Sequence, residues 1–337
     1  PLRLVGSEMC IRDRCSSTLS STSSHKSSTR ERGNAVSETL TETPGAPEAE
    51  VPAPVKKRRT IGFYLASFWL GLVVLLGLFG PLLHMAKWDT VYDDFLGSGP
   101  GTGGHILGTT MDGYDMLAGL VNGARLSIFI SFFAVLVGGS IGSFIGITSA
   151  YFRGKYDTVV TTIFNVMLSI PNLVLSLALL SVLAYSDPDH PATTTRRVLV
   201  LIISLIIVII PILGRIARGS ALQWSSREFV LASKSMGTRN LKIIKSHILP
   251  NVAPAILAIG FLAIGSVIIV EGSLAILGIG IPGGASWGSM LANGRGNIEF
   301  SPHEVYEPAL CIAFTVISCN WFGDYVRSKL DQREAKI

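Results

Sequence analysis

Of 337 residues, 48% are hydrophobic and only 15% charged, and the formal net charge is +5. Soluble domains carry about 25% charged residues, so this balance, with a mean hydropathy of +0.48, excludes an ordinary soluble enzyme or binding module and points to a membrane.

Residues 1–59 read as a disordered tail. Positions 16–28 are dominated by Ser and Thr and positions 41–54 by Pro, Ala and Glu, which cannot bury enough apolar surface to offset ordering entropy. Residues 7–14 resemble translated sequencing-adapter sequence, so 1–14 is read as artefactual. The native start is expected at Val36, because a GUG start codon read internally decodes as valine. Uncharged runs follow at 61–83, 126–152 and 158–185, each long enough for the roughly 20 apolar residues that cross a bilayer core. A shorter run at 198–214, a fifth at 251–270 and a marginal sixth at 308–323 complete six expected spans. The connection at 84–125 holds Asp89, Asp93, Asp94, Asp112 and Asp115 with a Gly-rich stretch at 97–104, and reads as turns. Pro171 falls inside the third run, where a proline kinks or breaks a helix. A short loop at 187–195 precedes Arg196 and Arg197, whose stems can snorkel at the interface. The expected organisation is a tail at 1–59, a first span with its outer loop at 60–125, a core of spans at 126–323 enclosing a loop at 215–250, and a second tail at 324–337.

Lys and Arg fall unevenly between alternate connections. One side has Lys56, Lys57, Arg58, Arg59, Arg153, Lys155, Arg215, Arg218, Arg227, Lys234, Arg239, Lys242, Lys245, Arg327, Lys329, Arg333 and Lys336; the other has Lys87, Arg125, Arg196, Arg197 and Arg295. Cationic loops stay cytoplasmic, so both termini are expected inside, and the basic balance is a topology signal with no nucleic-acid partner behind it. The four cysteines form no disulfide framework: Cys311 and Cys319 sit in the last expected span as small polarizable hydrophobes, and Cys10 and Cys15 in the tail.

The 215–250 loop is the most organised connection. Ser225 and Glu228 have capping-box spacing, so a helix is expected over about 226–236, closed by Gly237 in left-handed geometry. Phe229, Ala232, Ser233 and Met236 share one face. Asn240 can cap a second short helix over 241–247 that Pro250 stops. Two short helices joined at a glycine make either a rigid docking knob or an interfacial pair lying on lipid headgroups, and periodicity does not separate the two.

The segment from Phe229, Leu231, Ala232 and Ser233 through Gly237 to His247, Leu249, Pro250 and Asn251 resembles the EAA coupling loop of ABC importer permeases. The glycine stands thirteen residues before the proline, as in that motif, while the usual acid at its first position is Leu231. Further blocks resemble the C-type permease subunit of dipeptide, oligopeptide and nickel importers. They are His105-Ile106-Leu107-Gly108-Thr109 with Asp112 and Asp115, Gly123-Ala124-Arg125, Glu271-Gly272-Ser273-Leu274, Ser286-Trp287-Gly288, and Asn320 with Gly323-Asp324 and Leu330-Asp331. The family's usual proline after the last block is Gln332. This resemblance spans roughly residues 60–333. It implies an all-α fold of six spans, the type I ABC importer permease fold, in a prokaryotic inner membrane. It implies a homologous B-type permease subunit, two ATP-binding subunits and an extracytoplasmic solute-binding protein as partners, no cofactor, and a loop that docks on the ATPase. Peptides, nickel chelates and glutathione-like solutes share this scaffold. A motif G-x-x-x-x-G-K-[ST] is absent, and His303-Glu304 has no second histidine at metalloprotease spacing, so an enzyme is not expected. An ion-driven secondary transporter is the rival reading, and it leaves the coupling motif unexplained.

Four residues are candidates for the outer face or the translocation path. Glu271 is the only acid between Asn251 and Arg295 and lies about 20 residues into the fifth helix, near the outer side, as a structural hydrogen-bond partner or a substrate contact. Asp112 and Asp115 form turns or meet a substrate-delivering protein. Arg125 anchors the start of the second span by snorkelling. Trp287 is expected in an aromatic belt, and the Gly138/Gly142/Gly146 spacing predicts close helix packing.

Overall fold

The computed structural model describes residues 61–80, 88–184, 193–281 and 286–334, with side chains to position 329. The tail with Cys10, Cys15, Val36 and the cations at 56–59, together with Lys87, Asp187 and Lys336, lies outside the described residues, as do the side chains of Leu330, Asp331, Gln332 and Arg333. The helices are α1 (Ile61–Phe79), α2 (Met116–Phe152), α3 (Gly154–Ser169), α4 (Asn172–Ala184), α5 (Thr194–Ser225), α6 (Glu228–Ser235), α7 (Asn240–Ile243), α8 (Leu249–Leu274), α9 (Trp287–Gly294) and α10 (His303–Glu334). Among the described residues strand pairing is limited to isolated bridges, such as Val91–Tyr114 and Thr109–Asp115.

Five stretches are long and apolar enough to cross a membrane: α1, α2, α5, the run Asn240–Ile279 and His303–Lys329. The third expected span is not straight. α3 and α4 meet at an 86° bend, so they count as a sixth span only as a broken one. Ile170 at the break is extended, as the residue before a proline tends to be, and α4 restarts just after Pro171.

Backbone contact between α2 and α5 forms the centre of the bundle. Gly138, Gly142 and Gly146 lie one turn apart on α2 and face Ile206, Ile210 and Gly214, one turn apart on α5. The two helices therefore run parallel. A Cβ at Gly138 would come 2.9 Å from the Ile206 carbonyl oxygen, and at Gly142 and Gly146 it would overlap the carbonyls of Ile210 and Gly214. In a membrane, where lipid competes equally for apolar side chains, such close approach is what holds helices together. A middle core layer joins Ile130 and Ala134 of α2, Leu205 and Ile209 of α5, Leu180 of α4 and Val267 of α8. α3 is tied to α5 by a bidentate pair, Arg218 Nε to Asp157 Oδ1 at 2.6 Å and the second nitrogen to Oδ2 at 2.7 Å.

Direction along the bundle follows from the contacts. Gly62 faces Trp321 and Phe63 stacks on Tyr325 at 3.9 Å, so the start of α1 lies beside the last turns of α10. The first turn of α10 instead bonds the 88–115 loop through His303 and Glu304. One end of the bundle thus gathers the start of α1, the ends of α2, α5 and α10, and the α6–α7 connection; the other gathers residues 88–115 and α9.

Several local expectations are corrected. α2 starts ten residues earlier than the uncharged run, so Arg125 lies within the helix and not at its start. α5 runs eleven residues past Gly214, because its cationic stems cost little on a helix that leaves the hydrocarbon region. Ser225 therefore ends α5, its hydroxyl donating to Leu222 O, and the expected capping box with Glu228 does not form: α6 is preceded by Arg227 with no side-chain cap. Nor does Asn240 cap α7; it is the first helical residue and accepts from the Tyr151 hydroxyl at 2.8 Å. Pro250 does not stop the helix. A wide π turn at Ile244–Ile248, in which Leu249 N–H reaches Ile244 O, makes room for the ring, and the helix continues into α8.

Candidate functional site

The α6–α7 connection is a compact hairpin. α6 ends in a complete Schellman motif: Thr238 N–H bonds Ser233 O at 3.2 Å and Gly237 N–H bonds Lys234 O at 3.0 Å. Gly237 adopts φ 76°, which only glycine takes without strain. Val230 and Ser233 face inward, Val230 joining a core layer with Ile147, Ala150, Ala217, Ile243, Ile248 and Val252. Ser233 donates to Phe229 O at 2.9 Å and lies 3.4 Å from the His247 ring nitrogen. The predicted common face is therefore split. Ser233 is buried, while Phe229, Ala232 and Met236 look outward, Met236 being 77% exposed. Leu231, Leu249 and Pro250 are exposed too, as is Leu241 at 72%. Exposed apolar residues thus gather at one end of the bundle, in a segment that also exposes Arg227, Lys234, Arg239, Lys242 and Lys245.

At the opposite end, Asp115 caps α2: its Oδ1 accepts from Ala118 N at 2.7 Å, and its Oδ2 accepts from His105 Nδ1 at 2.5 Å in a buried pair. Gly113 beside the exposed Asp112 takes φ 81°, a turn position. His303 Nε2 donates to Thr109 O at 2.9 Å, while Glu304 accepts from Met111 N at 2.6 Å and from the Asn297 amide at 3.2 Å. These bonds fix the 88–115 loop on the start of α10. Asp112, Asp115, Trp88, Tyr114, Asn293 and Glu304 line a pocket of about 220 Å³ between them. Arg125 and Glu271 do not line it. Arg125 is exposed on α2 where Gly77 of α1 approaches its Cα.

Glu271 is 3% exposed, near the end of α8. Ser286 Oγ donates to Oε1 at 2.6 Å and Ser127 Oγ to Oε2 at 3.5 Å. Trp287 is not in an aromatic belt. It is 1% exposed, and its indole N–H donates to Leu120 O at 2.8 Å, because Gly123 of α2 leaves space for it. The spacing of acids and glycines brought Asp112 and Asp115 together, and it missed His105, Glu304 and Ser286. Ser286 had a usable signal, a serine before a helix start. His105 stood in the same block as Asp115, ten residues away, with no spacing rule to pair them, and Glu304 had no signal because Met111 lies 193 positions off.

The family model of the binding-protein-dependent transport system inner membrane component matches residues 138–336. The chain is 31% identical over 261 residues to the dipeptide transport system permease protein DppC of Alkalihalophilus pseudofirmus, covering 77% of this chain and 82% of that one. It is 30% identical over 276 residues to the glutathione transport system permease protein GsiD of Escherichia coli O6:K15:H31, covering 80% and 85%. Among solved structures, the inward-facing MetNI methionine ABC transporter superposes with a TM-score of 0.53 at 18% identity, over 63% of this chain and 97% of that chain. That likeness is one of fold.

Proposed function

This chain belongs to the family of binding-protein-dependent transport system inner membrane components, and from that premise we propose that it is the C-type permease of an ATP-driven importer of dipeptides or oligopeptides. It pairs with a homologous B-type permease. Two ATP-binding subunits hydrolyse ATP on its cytoplasmic side, and a solute-binding protein delivers the substrate outside. Both termini and the α6–α7 hairpin are cytoplasmic, as the excess of Lys and Arg on that side favours.

The observation that carries this reading is the hairpin itself. A headgroup-lying pair would turn its apolar residues toward the bilayer beside the bundle and need little internal rigidity. Here the Schellman closure at Gly237, the inward Val230 and the Tyr151–Asn240 bond fix the hairpin to the ends of α2 and α5. Phe229, Leu231, Met236 and Leu241 remain outside as an apolar patch of the kind that marks a partner surface. Phe229, Leu231, Ala232, Ser233, Gly237, His247, Leu249 and Pro250 form the coupling loop, with Ser233 and His247 holding it from within. At Leu231 the contact is apolar, where related loops place an acid.

The relative named for glutathione transport favours a second substrate reading, a glutathione-like tripeptide. In vesicles containing the assembled importer, uptake of labelled dipeptide is expected to require ATP and to vanish with hydrolysis-dead ATP-binding subunits. Uptake that persists with dead subunits and stops when the ion gradient is collapsed would sink the proposal in favour of a secondary transporter.

A further inference from the structure

We propose that Glu271 is a positioning residue for transport, a latch that fastens the far end of the α7–α8 rod to α9 and α2. Displacement of the α6–α7 hairpin is then delivered to the opposite mouth of the bundle. This rests on the reading of that hairpin as the docking site of ATP-driven subunits.

The rod is continuous. From Asn240 to Leu274 the chain is helical throughout, with a π turn at Ile244–Ile248 before Pro250 and Pro254 inside α8, and a second π turn at Ala275–Ile279 follows. At 1.5 Å per residue, Glu271 lies about 45 Å along the rod from Asn240. One end of this run is therefore part of the hairpin and the other reaches α9, and the backbone stays helical through Pro250 and Pro254 until Gly278, whose φ of 88° breaks it.

At the far end the carboxylate organises three elements. A hydroxyl has one proton, and Ser286 gives it to Glu271 at 2.6 Å. The Ser286 lone pairs stay free to accept from Ser289 N at 3.1 Å, which caps α9. Ser127 of α2 donates to the other carboxylate oxygen and accepts from Trp287 N at 3.2 Å. The cap and the first amide of α9 thus both hang on serines whose protons point at Glu271. The fit is also steric. A Cβ at Gly288 would come 2.7 Å from Gly272 Cα and 3.0 Å from each Glu271 carboxylate oxygen, so α9 rests on α8 by backbone. A buried carboxylate is costly, and apolar residues of similar volume fill such sites at least as stably. What Glu271 supplies that leucine could not is a fixed register between the rod, α9 and α2. At 3% exposure and enclosed by Ser127, Ser286 and Gly288, it acts through these elements.

The test uses the complete importer in vesicles, this chain with its partner permease, ATP-binding subunits and binding protein. It reads basal ATP hydrolysis, hydrolysis with loaded binding protein, and peptide taken up per ATP. Glu271→Ala is expected to lower uptake per ATP about tenfold while basal hydrolysis stays within about twofold. Glu271→Gln keeps an acceptor for Ser286 and offers an N–H to Ser127, and should restore uptake per ATP to within about threefold of wild type. Ser286→Ala should uncouple in the same sense, and the double variant with Glu271→Ala should lose no more than the worse single one. Unchanged uptake per ATP in Glu271→Ala, equal damage by Gln and Ala, or losses that multiply in the double variant would each overturn the latch. If Glu271→Ala fails to assemble, Ser286→Ala decides alone, and wild-type uptake per ATP there overturns it. Wild-type uptake indifferent to ATP would instead remove the functional reading on which the latch rests.

Discussion

Alanine in place of glycine should have opposite effects at Gly146 and Gly219, and the difference is set by what lies beside each Cα. A Cβ at Gly146 would lie 3.0 Å from the Gly214 carbonyl carbon and 3.1 Å from the Arg218 nitrogen, and would overlap the Gly214 oxygen. All three are backbone atoms of α5, so no rotamer change relieves the clash. Carbon atoms settle at roughly 3.5–4.0 Å, so α2 and α5 must part by about 1 Å at that level. Parting them loosens the contacts at Gly142 and Gly138 on the same stripe and disturbs the turn of α5 that holds Arg218 against Asp157. Overpacking of this kind costs about 1–3 kcal/mol; with no flexible neighbour the upper part of that range applies, and the melting midpoint should fall by about 5 °C. Gly219 meets nothing within 4 Å, and it lies inside α5. Alanine there restricts the unfolded chain without a clash and should leave stability unchanged or raise it by up to about 1 kcal/mol. Thermal unfolding of the detergent-solubilised importer complex, followed by size-exclusion of the heated sample, measures both. If Gly146→Ala melts at or above wild type, or if the two variants shift equally, the glycine stripe is not the contact that joins α2 to α5.

Gly237→Val should leave basal ATP hydrolysis of the assembled importer in place but reduce peptide uptake per ATP severalfold. A β-branched residue resists the left-handed φ of 76° at a cost of about 1–2 kcal/mol or more; coupled transport assays in vesicles check it, and wild-type coupling would refute it. Asp115→Ala removes both the α2 cap and the partner of buried His105, and should cost about 3 kcal/mol. Asp115→Asn keeps the cap acceptor and should cost less, an order readable from protease cutting within residues 88–115. Arg218→Lys replaces a two-pronged pair with a point contact; because both groups are partly exposed, the loss should be only about 1 kcal/mol. Trp287→Phe removes the indole bond to Leu120 O in a dry junction and should lower stability by about 1 kcal/mol, measured by the same melt.

The broad architecture was legible because the bilayer writes it into composition. Uncharged runs located the spans, Pro171 located the break between α3 and α4, and the Gly138/Gly142/Gly146 spacing anticipated a close helix contact, though not that α5 would be the partner. Span ends were less legible. α2 and α5 both outrun their apolar stretches, since a helix continues wherever its backbone bonds are satisfied and the charge of a side chain does not end it. The hairpin was half legible. Gly237 closes α6 as its position suggested, whereas the Ser225/Glu228 and Asn240 caps failed because α5 consumed Ser225 and Tyr151 claimed Asn240. Pro250 misled for a similar reason: local rules end a helix at proline, and a π turn anchored by Ile244 and Ile248 in the core kept it going.

Sequence alone determined that this is a helical membrane protein with an organised loop between its fourth and fifth spans, because hydropathy, charge asymmetry and turn chemistry are local properties. Tertiary structure decided which residues meet. His105 with Asp115, Glu304 with Met111 N, Asp157 with Arg218, and Glu271 with Ser286 and Ser127 are pairs separated by ten to nearly two hundred positions. No local pattern encodes them. It was likewise the seating of α9 on α8, possible only where Gly288 meets Gly272, that turned Trp287 from a surface anchor into a buried one. The same seating placed Glu271 at the junction of rod, cap and bundle, since a side chain's role in a bundle is set by the neighbours that packing brings to it.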